Sequence, residues 1–226
     1  DCISRDDVRA LFGDAPPVVD AILTDPPYCS GGLQEAGKRS GSIGTDGGKW
    51  GEVSLERDDL STSGYLGLMA MSLTHVSAQR LYMFTDWRMW EWTKQAVEVA
   101  GYPARQMIVW DKGSAGMGND YKSQAELCLY ARIGPGEMKG SKASVISCKR
   151  SGNTHHPTEK PIELLRELMQ LGEPATIYDP FSGSGSTLIS AEIEGRRAVG
   201  MEVSPAYVAA CLERFGRLGL EPVRAI

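Results

Sequence analysis

What this 226-residue sequence lacks already excludes several classes of function. No apolar run approaches the ~20 residues that a membrane helix needs, and no basic, apolar, small-residue leader opens the chain. A soluble, intracellular protein is expected. The 24 Lys and Arg are outnumbered by 29 Asp and Glu, for a formal charge of −5, so there is no polybasic tail for nucleic acid. The five cysteines, Cys2, Cys29, Cys128, Cys148 and Cys211, form no C-x-x-C pair, which argues against a disulfide framework or a zinc site. His155 and His156 are adjacent, and neighbours on an extended strand point to opposite faces, so no bound metal is expected. No repeat and no clean linker divides the chain. Its length suits one domain with a sizeable core, and residues 1–226 are read as a single unit.

What is present is an alternation of short apolar runs with helix-like stretches, the pattern of an α/β sheet with helices on both faces. Strands are expected at Val18 to Leu23, Arg80 to Phe84, Gln106 to Trp110, Leu127 to Ala131, Thr176 to Tyr178 and Ala198 to Met201. Helices are expected near Tyr65 to Ser77, Arg88 to Ala100, Ile162 to Leu171, Thr187 to Glu194 and Pro205 to Leu218, with Ser204 capping the last and Gly195 ending the one before it. Two segments break the rhythm. Gly31 to Gly51 holds eight of the 26 glycines, which predicts a long mobile loop near 29–63. Ile133 to Thr154 carries Lys139, Lys142, Lys149 and Arg150 against Glu137 alone, a local charge of 4 − 1 = +3, and reads as a short insert near 133–154.

The most informative feature occurs twice: an apolar strand that ends in Asp-Pro and runs into a loop. It appears as Ala21-Ile22-Leu23-Thr24-Asp25-Pro26-Pro27-Tyr28 and again as Thr176-Ile177-Tyr178-Asp179-Pro180-Phe181. Ligands of open α/β sheets bind beyond the carboxyl ends of strands, so both aspartates are expected at one crevice. The second copy continues Ser182-Gly183-Ser184-Gly185-Ser186-Thr187 into a helix, where glycines permit close backbone approach to a ligand. Such loops also serve as plain turns. Glu202 sharpens the reading, because an acid about 20 residues further on, at the end of the next strand, is placed to accept ribose hydroxyls. In the first copy, Asp25 and the Pro26 carbonyl suit the two N–H protons of an exocyclic amine, with Pro27 stiffening the backbone and Tyr28 offering a face for an extruded base. The alternative there is a proline-stiffened turn with a structural tyrosine.

Asp25-Pro26-Pro27-Tyr28 resembles the catalytic motif of amino-group DNA methyltransferases, and Asp179 to Thr187 resembles their S-adenosylmethionine loop. His156-Pro157-Thr158-Glu159-Lys160-Pro161 is similar to the segment that holds the methionine end of that cofactor. Catalytic motif first and cofactor loop last resembles the permuted β group of these enzymes. Phe84-Thr85-Asp86 and Val109-Trp110-Asp111-Lys112 fit its middle strands. The resemblance implies a Rossmann-like S-adenosylmethionine-dependent methyltransferase sheet, with cofactor contacts from Asp179, Phe181, Ser182, Gly183, Gly185, Thr187 and Glu202. Thr158 and Lys160 follow, with Asp1 and Cys2, which match the family's opening Gly-Asp-Cys without its glycine.

By the same resemblance the reaction is methylation of N6 of adenine in double-stranded DNA by a cytoplasmic enzyme of a bacterium or phage, of the kind found in restriction–modification. N4 of cytosine is the runner-up, because the cytosine enzymes more often place Ser where Asp25 stands. An RNA or protein-amide methyltransferase and a catalytically silent nucleic-acid-binding relative are further alternatives. Where strict enzymes of this kind carry a substantial recognition insert, only 133–154 is available, too short for its own core. Lys38, Arg39, Lys139, Lys142, Lys149 and Arg150 are then the expected DNA contacts, with short or relaxed specificity, and a homodimer partner is a further source of loops. Trp87, Trp90 and Trp92 are read as core and edge packing.

Overall fold

The computed structural model describes residues 1–14, 17–28, 60–116, 120–134, 140–151 and 159–221. Their elements run α1 (Arg5–Phe12), β1 (Val18–Thr24), α2 (Thr62–Thr74), β2 (Ser77–Thr85), α3 (Trp90–Val99), β3 (Ala104–Asp111), β4 (Ala125–Arg132), β5 (Val145–Ser147), α4 (Ile162–Met169), β6 (Thr176–Asp179), α5 (Ser186–Ile193), β7 (Arg197–Gly200) and α6 (Pro205–Arg217). The seven strands form one sheet in the order β5-β3-β4-β2-β1-β6-β7. Only β4 runs antiparallel to its neighbours; every other pairing is parallel.

The alternation along each strand divides the core into two layers. In β2, Leu81 and Met83 join Leu68, Met69 and Leu73 of α2 and Ala96 and Val97 of α3 on one face. Tyr82 and Phe84 join Leu164, Leu165 and Leu168 of α4 on the other. Ile22 and Leu23 of β1 divide in the same way. Strands covered on both sides read as unbroken apolar runs, which is why the central strands are visible in the sequence.

Several boundaries differ from expectation for identifiable reasons. Helix α2 begins at Thr62 and not Tyr65, because the Ser61 hydroxyl accepts the Gly64 N–H at 3.1 Å and caps it there. Helix α3 starts at Trp90, after a turn in which Asp86 accepts the Met89 N–H at 2.8 Å. Ser204 stands at the cap position of α6, but its side chain makes no capping bond. Helix α1 was not anticipated; Ser4 caps it by accepting the Asp7 N–H at 3.2 Å. Nor was β5, so the segment read as an insert contributes an edge strand to the sheet. Of the long glycine-rich segment near 29–63, residues 29–59 lie outside the described residues, as do Lys38, Arg39, Lys139, His155, His156 and Thr158. Among the described residues, no helix is long and apolar enough to cross a membrane.

Candidate active site

Parallel strands place their carboxyl ends together, and β4, running the other way, brings its first residues to that same edge. Asp25 follows β1, Asp179 ends β6, Lys112 follows β3, and Glu126 is the second residue of β4, paired with Trp110 of β3. The two Asp-Pro strand ends are therefore neighbours, because β1 and β6 pair directly at Ala21–Ile177 and Ile22–Tyr178.

Around Asp179 the loop is tightly specified. The buried carboxylate accepts the Phe181 N–H at 3.0 Å and the Thr24 hydroxyl at 2.7 Å, and Thr187 supplies a further side-chain hydrogen bond. Burial outweighs these donors and lifts its pKa to about 6. Ser182 is tied to the end of β7, its N–H and hydroxyl both donating to the Met201 carbonyl at 2.9 and 3.1 Å. Glu202 accepts the Gly183 N–H through Oε2 and the Ser204 N–H through Oε1, each at 2.8 Å. A carboxylate offers about four acceptor sites, so two are left over from these bonds among the described residues. Gly185 has φ +84°, and a Cβ there would lie 2.4 Å from Cys211 Sγ, so the glycine is demanded both by its conformation and by the approach of α6.

Arg214 of α6, buried, buttresses the loop from behind. Its Nη1 donates to the Ser184 carbonyl, the Ser184 hydroxyl and the Ser186 hydroxyl at 2.8, 2.9 and 3.1 Å. Its Nη2 pairs with Glu159 at 2.9 Å, linking the loop to the segment that carries Lys160. Sequence reasoning missed Arg214; the only available signal was a cation at the seam of an amphipathic helix.

Around Asp25 the arrangement is ionic. Lys160 is only 5% exposed, and its Nζ donates to Oδ2 of Asp25 at 2.5 Å and pairs with Oε1 of Glu126 at 2.8 Å. Lys112 pairs with the other Glu126 oxygen at 2.8 Å. The Tyr28 hydroxyl donates to Oδ1 of Asp25 and lies 3.2 Å from Glu126. Lys160 Nζ also stands 5.0 Å from the Phe84 ring centre and 5.6 Å from that of Tyr28. Burial raises the Asp25 pKa and the Glu126 charge raises it further, while Lys160 opposes both. For Glu126 burial pushes upward, but Lys160 and Lys112 together bring it down to about 2. Burial, Asp25 and Glu126 all raise the Tyr28 phenol. Pro26 is buried and Pro27 half-buried beside them.

The residues expected at the site thus divide. Asp25, Tyr28, Asp179, Phe181, Ser182, Gly183, Gly185, Thr187 and Glu202 share one edge of the sheet. Lys160, assigned to the cofactor by resemblance, has its ammonium on Asp25 and Glu126. Cys2 is buried against Tyr178, one residue before Asp179, and the Asp1 carboxylate accepts the Ile3 N–H at 3.3 Å. Lys142 is drawn onto α4, where it bonds Glu167 and Gln170 at 2.8 and 2.7 Å, apart from the exposed Lys149 and Arg150 that follow β5. Of the three tryptophans, Trp90 packs on the core as expected, whereas Trp87 is 70% exposed in the turn after β2 with the Arg88 guanidinium 5.1 Å from its ring centre. Glu126 had no signal beyond a single acid near the start of an apolar strand.

Known proteins match this chain over nearly its full length. The profile of the N6/N4 DNA methylase family matches residues 137–213. The protein YubD of Escherichia coli (strain K12), a methylase by name, is 30% identical over 99% of this chain and 90% of its own. The type II methyltransferase M2.DpnII of Streptococcus pneumoniae is 24% identical over 94% of this chain and 88% of its own. Among solved structures, a complex of M1.HpyAVI with S-adenosylmethionine superposes with a TM-score of 0.63 at 21% identity, covering 88% of this chain and 90% of that one. The PvuII DNA methyltransferase, described as cytosine-N4-specific, gives a TM-score of 0.66 at 14% identity, covering 92% and 83%. With the fold, the paired Asp-Pro strand ends and a full-length relative at this identity, the chain belongs to the amino-group DNA methyltransferase family.

Proposed function

We propose that this protein transfers a methyl group from S-adenosylmethionine to N6 of adenine in double-stranded DNA, as a single cytoplasmic catalytic domain. The observation that carries the reading is the adjacency of Asp25 and Asp179, bridged by the Thr24 hydroxyl, at the carboxyl edge of the sheet. It supports a methyl donor and an acceptor amine meeting at one crevice. The donor set there fits the cofactor: left-handed glycines at 183 and 185, and a Glu202 with acceptor sites to spare for ribose hydroxyls. Asp179, Phe181, Ser182, Gly183, Gly185, Thr187 and Glu202 would hold it, with Asp1, Cys2 and Thr158 as further contacts. When bound, it supplies a methyl group on a sulfonium.

The chain's own residues act on the amine. An exocyclic amine is a poor nucleophile because its lone pair is delocalised into the base. Asp25 and the Pro26 carbonyl accept its two N–H protons and return electron density to nitrogen, while Tyr28 stacks on the extruded base. Transfer would form the N–C bond from the nitrogen lone pair as the sulfonium's C–S bond breaks with its pair left on sulfur, and one proton of the methylated nitrogen would pass through the Asp25 carboxylate to water. No covalent enzyme intermediate is needed, so catalysis rests on in-line positioning and on a carboxylate beside developing positive charge.

The Asp at position 25 favours adenine. N4 of cytosine is the second reading, motivated by the fold neighbour described as N4-specific. Lys38, Arg39, Lys139, Lys149 and Arg150 are proposed phosphate contacts, and a homodimer would add loops to them. A reader built mostly from such contacts gives short or relaxed specificity. Incubating the protein with labelled cofactor and unmethylated DNA, digesting to nucleosides and mapping the modified positions tests both points. N6-methyladenine in loose contexts is expected. N4-methylcytosine, or a strict site of six or more base pairs, would overturn the corresponding part.

A further inference from the structure

Four charged side chains of alternating sign run into the site: Lys112, Glu126, Lys160 and Asp25, with successive contacts of 2.8, 2.8 and 2.5 Å. They come from four separate stretches of chain, and Lys112, Glu126 and Lys160 have side chains no more than 14% exposed. Desolvating four charges is costly, and such networks persist only with good geometry and full hydrogen bonding. The methyl-transfer chemistry proposed above uses Asp25 alone, which leaves the other three without a role.

The chemistry of Asp25 shows what they do. The carboxylate must be an acceptor on both oxygens and carry its charge when positive charge develops on the amine. Half-buried beside Glu126, and close to the Cys128 thiol of β4, Asp179 of β6 and the Tyr28 phenol, it is pushed towards taking up a proton. A protonated carboxyl presents a donor on one oxygen, which is the wrong partner for an N–H. The Lys160 ammonium is the one cation in direct contact with it among the described residues. Glu126 shares that ammonium, and Lys112 draws on Glu126 in turn.

We propose that Lys160 is a positioning residue that holds the Asp25 carboxylate ionised and fixed in orientation, and that the Glu126–Lys112 pair sets how fully Lys160 serves Asp25. This assignment rests on the methyltransferase reading for its consequence, but not for its geometry. It gives Lys160 a task at the catalytic carboxylate and not at the cofactor.

The test is the acid limb of the pH–rate profile, read together with carboxyl 13C NMR titration of Asp25 in the cofactor-free protein, the resonance assigned with Asp25→Asn. Lys160→Gln removes the cation, so Asp25 should protonate at higher pH, and both limb and titration should move up by one unit or more. Lys160→Arg should restore most of the shift. Lys112→Gln should move them up by less, and Glu126→Gln should move them down, because it removes a negative charge from Asp25. Opposite directions for the lysine and glutamate variants are the mark of a charge effect, and the Lys112 and Glu126 variants decide the matter if Lys160→Gln does not fold. Loss of turnover in all variants with an unmoved limb and unmoved titration would overturn the proposal, as would a raised cofactor dissociation constant for Lys160→Gln without any shift. If the wild-type protein methylates no DNA, the methyltransferase reading fails, while the titration still decides whether Lys160 controls Asp25.

Discussion

The Thr24 hydroxyl donates a 2.7 Å hydrogen bond to Oδ1 of Asp179, joining two residues 155 positions apart in the chain. Thr24 immediately precedes Asp25, and Asp179 opens the glycine loop. The bond is buried and spans the β1–β6 pair, so the register of those two strands fixes the Asp25 carboxylate relative to the loop. Neither half of the site can shift along its strand without breaking it.

Asp179 makes stability depend on pH. Its folded pKa of about 6 lies above the ordinary 3.8, because burial outweighs the hydrogen bonds from Thr187, Thr24 and Phe181. As pH rises from 4 to 6 the unfolded chain ionises first, the native state holds the extra proton, and stability is lost across that window. The ionised form at neutral pH therefore costs on the order of 3 kcal/mol. Asp179→Asn keeps an acceptor for Thr24 and Phe181 without the charge. It should stabilise the cofactor-free protein at pH 7, with the gain vanishing near pH 4. Urea denaturation at the two pH values checks this, and an equal gain at both would contradict it.

How much of this was legible in the sequence follows from the physics of each element. The central strands could be read because burial on both faces leaves unbroken apolar runs, and Asp25 and Asp179 stood out as polar residues closing such runs. Glu126 could not be found. It sits in β4, and only the antiparallel direction of that strand brings its head to the edge where the parallel strands end. The partners of Lys160 were equally hidden, since ion pairs to Asp25, 135 residues away, and to Glu126 in β4 leave no periodicity. Strand β5 has three residues on a sheet edge with an exposed–half-buried–exposed pattern, too short to show an alternation. In helix α1 only Val8 is fully buried, so its apolar face carries little signal.

Tyr82 offers a stability test remote from the chemistry. Its ring is buried against Tyr130, with centroids 5.0 Å apart, and its hydroxyl finds no hydrogen-bond partner among the described residues. A buried hydroxyl left unsatisfied costs about 1–3 kcal/mol. Tyr82→Phe should therefore raise the denaturation midpoint, a gain near 1 kcal/mol, with cofactor affinity unchanged. A clear loss of stability would show that the hydroxyl is satisfied in solution.

Glu202 joins loop architecture to cofactor binding. Glu202→Ala releases the N–H groups of Gly183 and Ser204 together with the proposed ribose acceptor. Charge-assisted hydrogen bonds of roughly 1.5–3 kcal/mol correspond to a dissociation constant about ten- to a hundredfold higher. Glu202→Gln, which keeps one acceptor oxygen, should fall between. Calorimetry with S-adenosylmethionine measures both, and an affinity unchanged in the alanine variant would put Glu202 outside the cofactor site.

The central claim is that Asp25 acts on the acceptor amine and not on the cofactor. It is tested most directly by comparing the wild-type protein with Asp25→Asn, measuring methyl incorporation into unmethylated DNA with nucleoside identification and, in parallel, S-adenosylmethionine binding. The account predicts N6-methyladenine from the wild type, incorporation reduced at least a hundredfold in Asp25→Asn, and cofactor dissociation constants within a factor of about three of each other. Undiminished incorporation by Asp25→Asn, or a loss of incorporation matched by an equal loss of cofactor affinity, would contradict it.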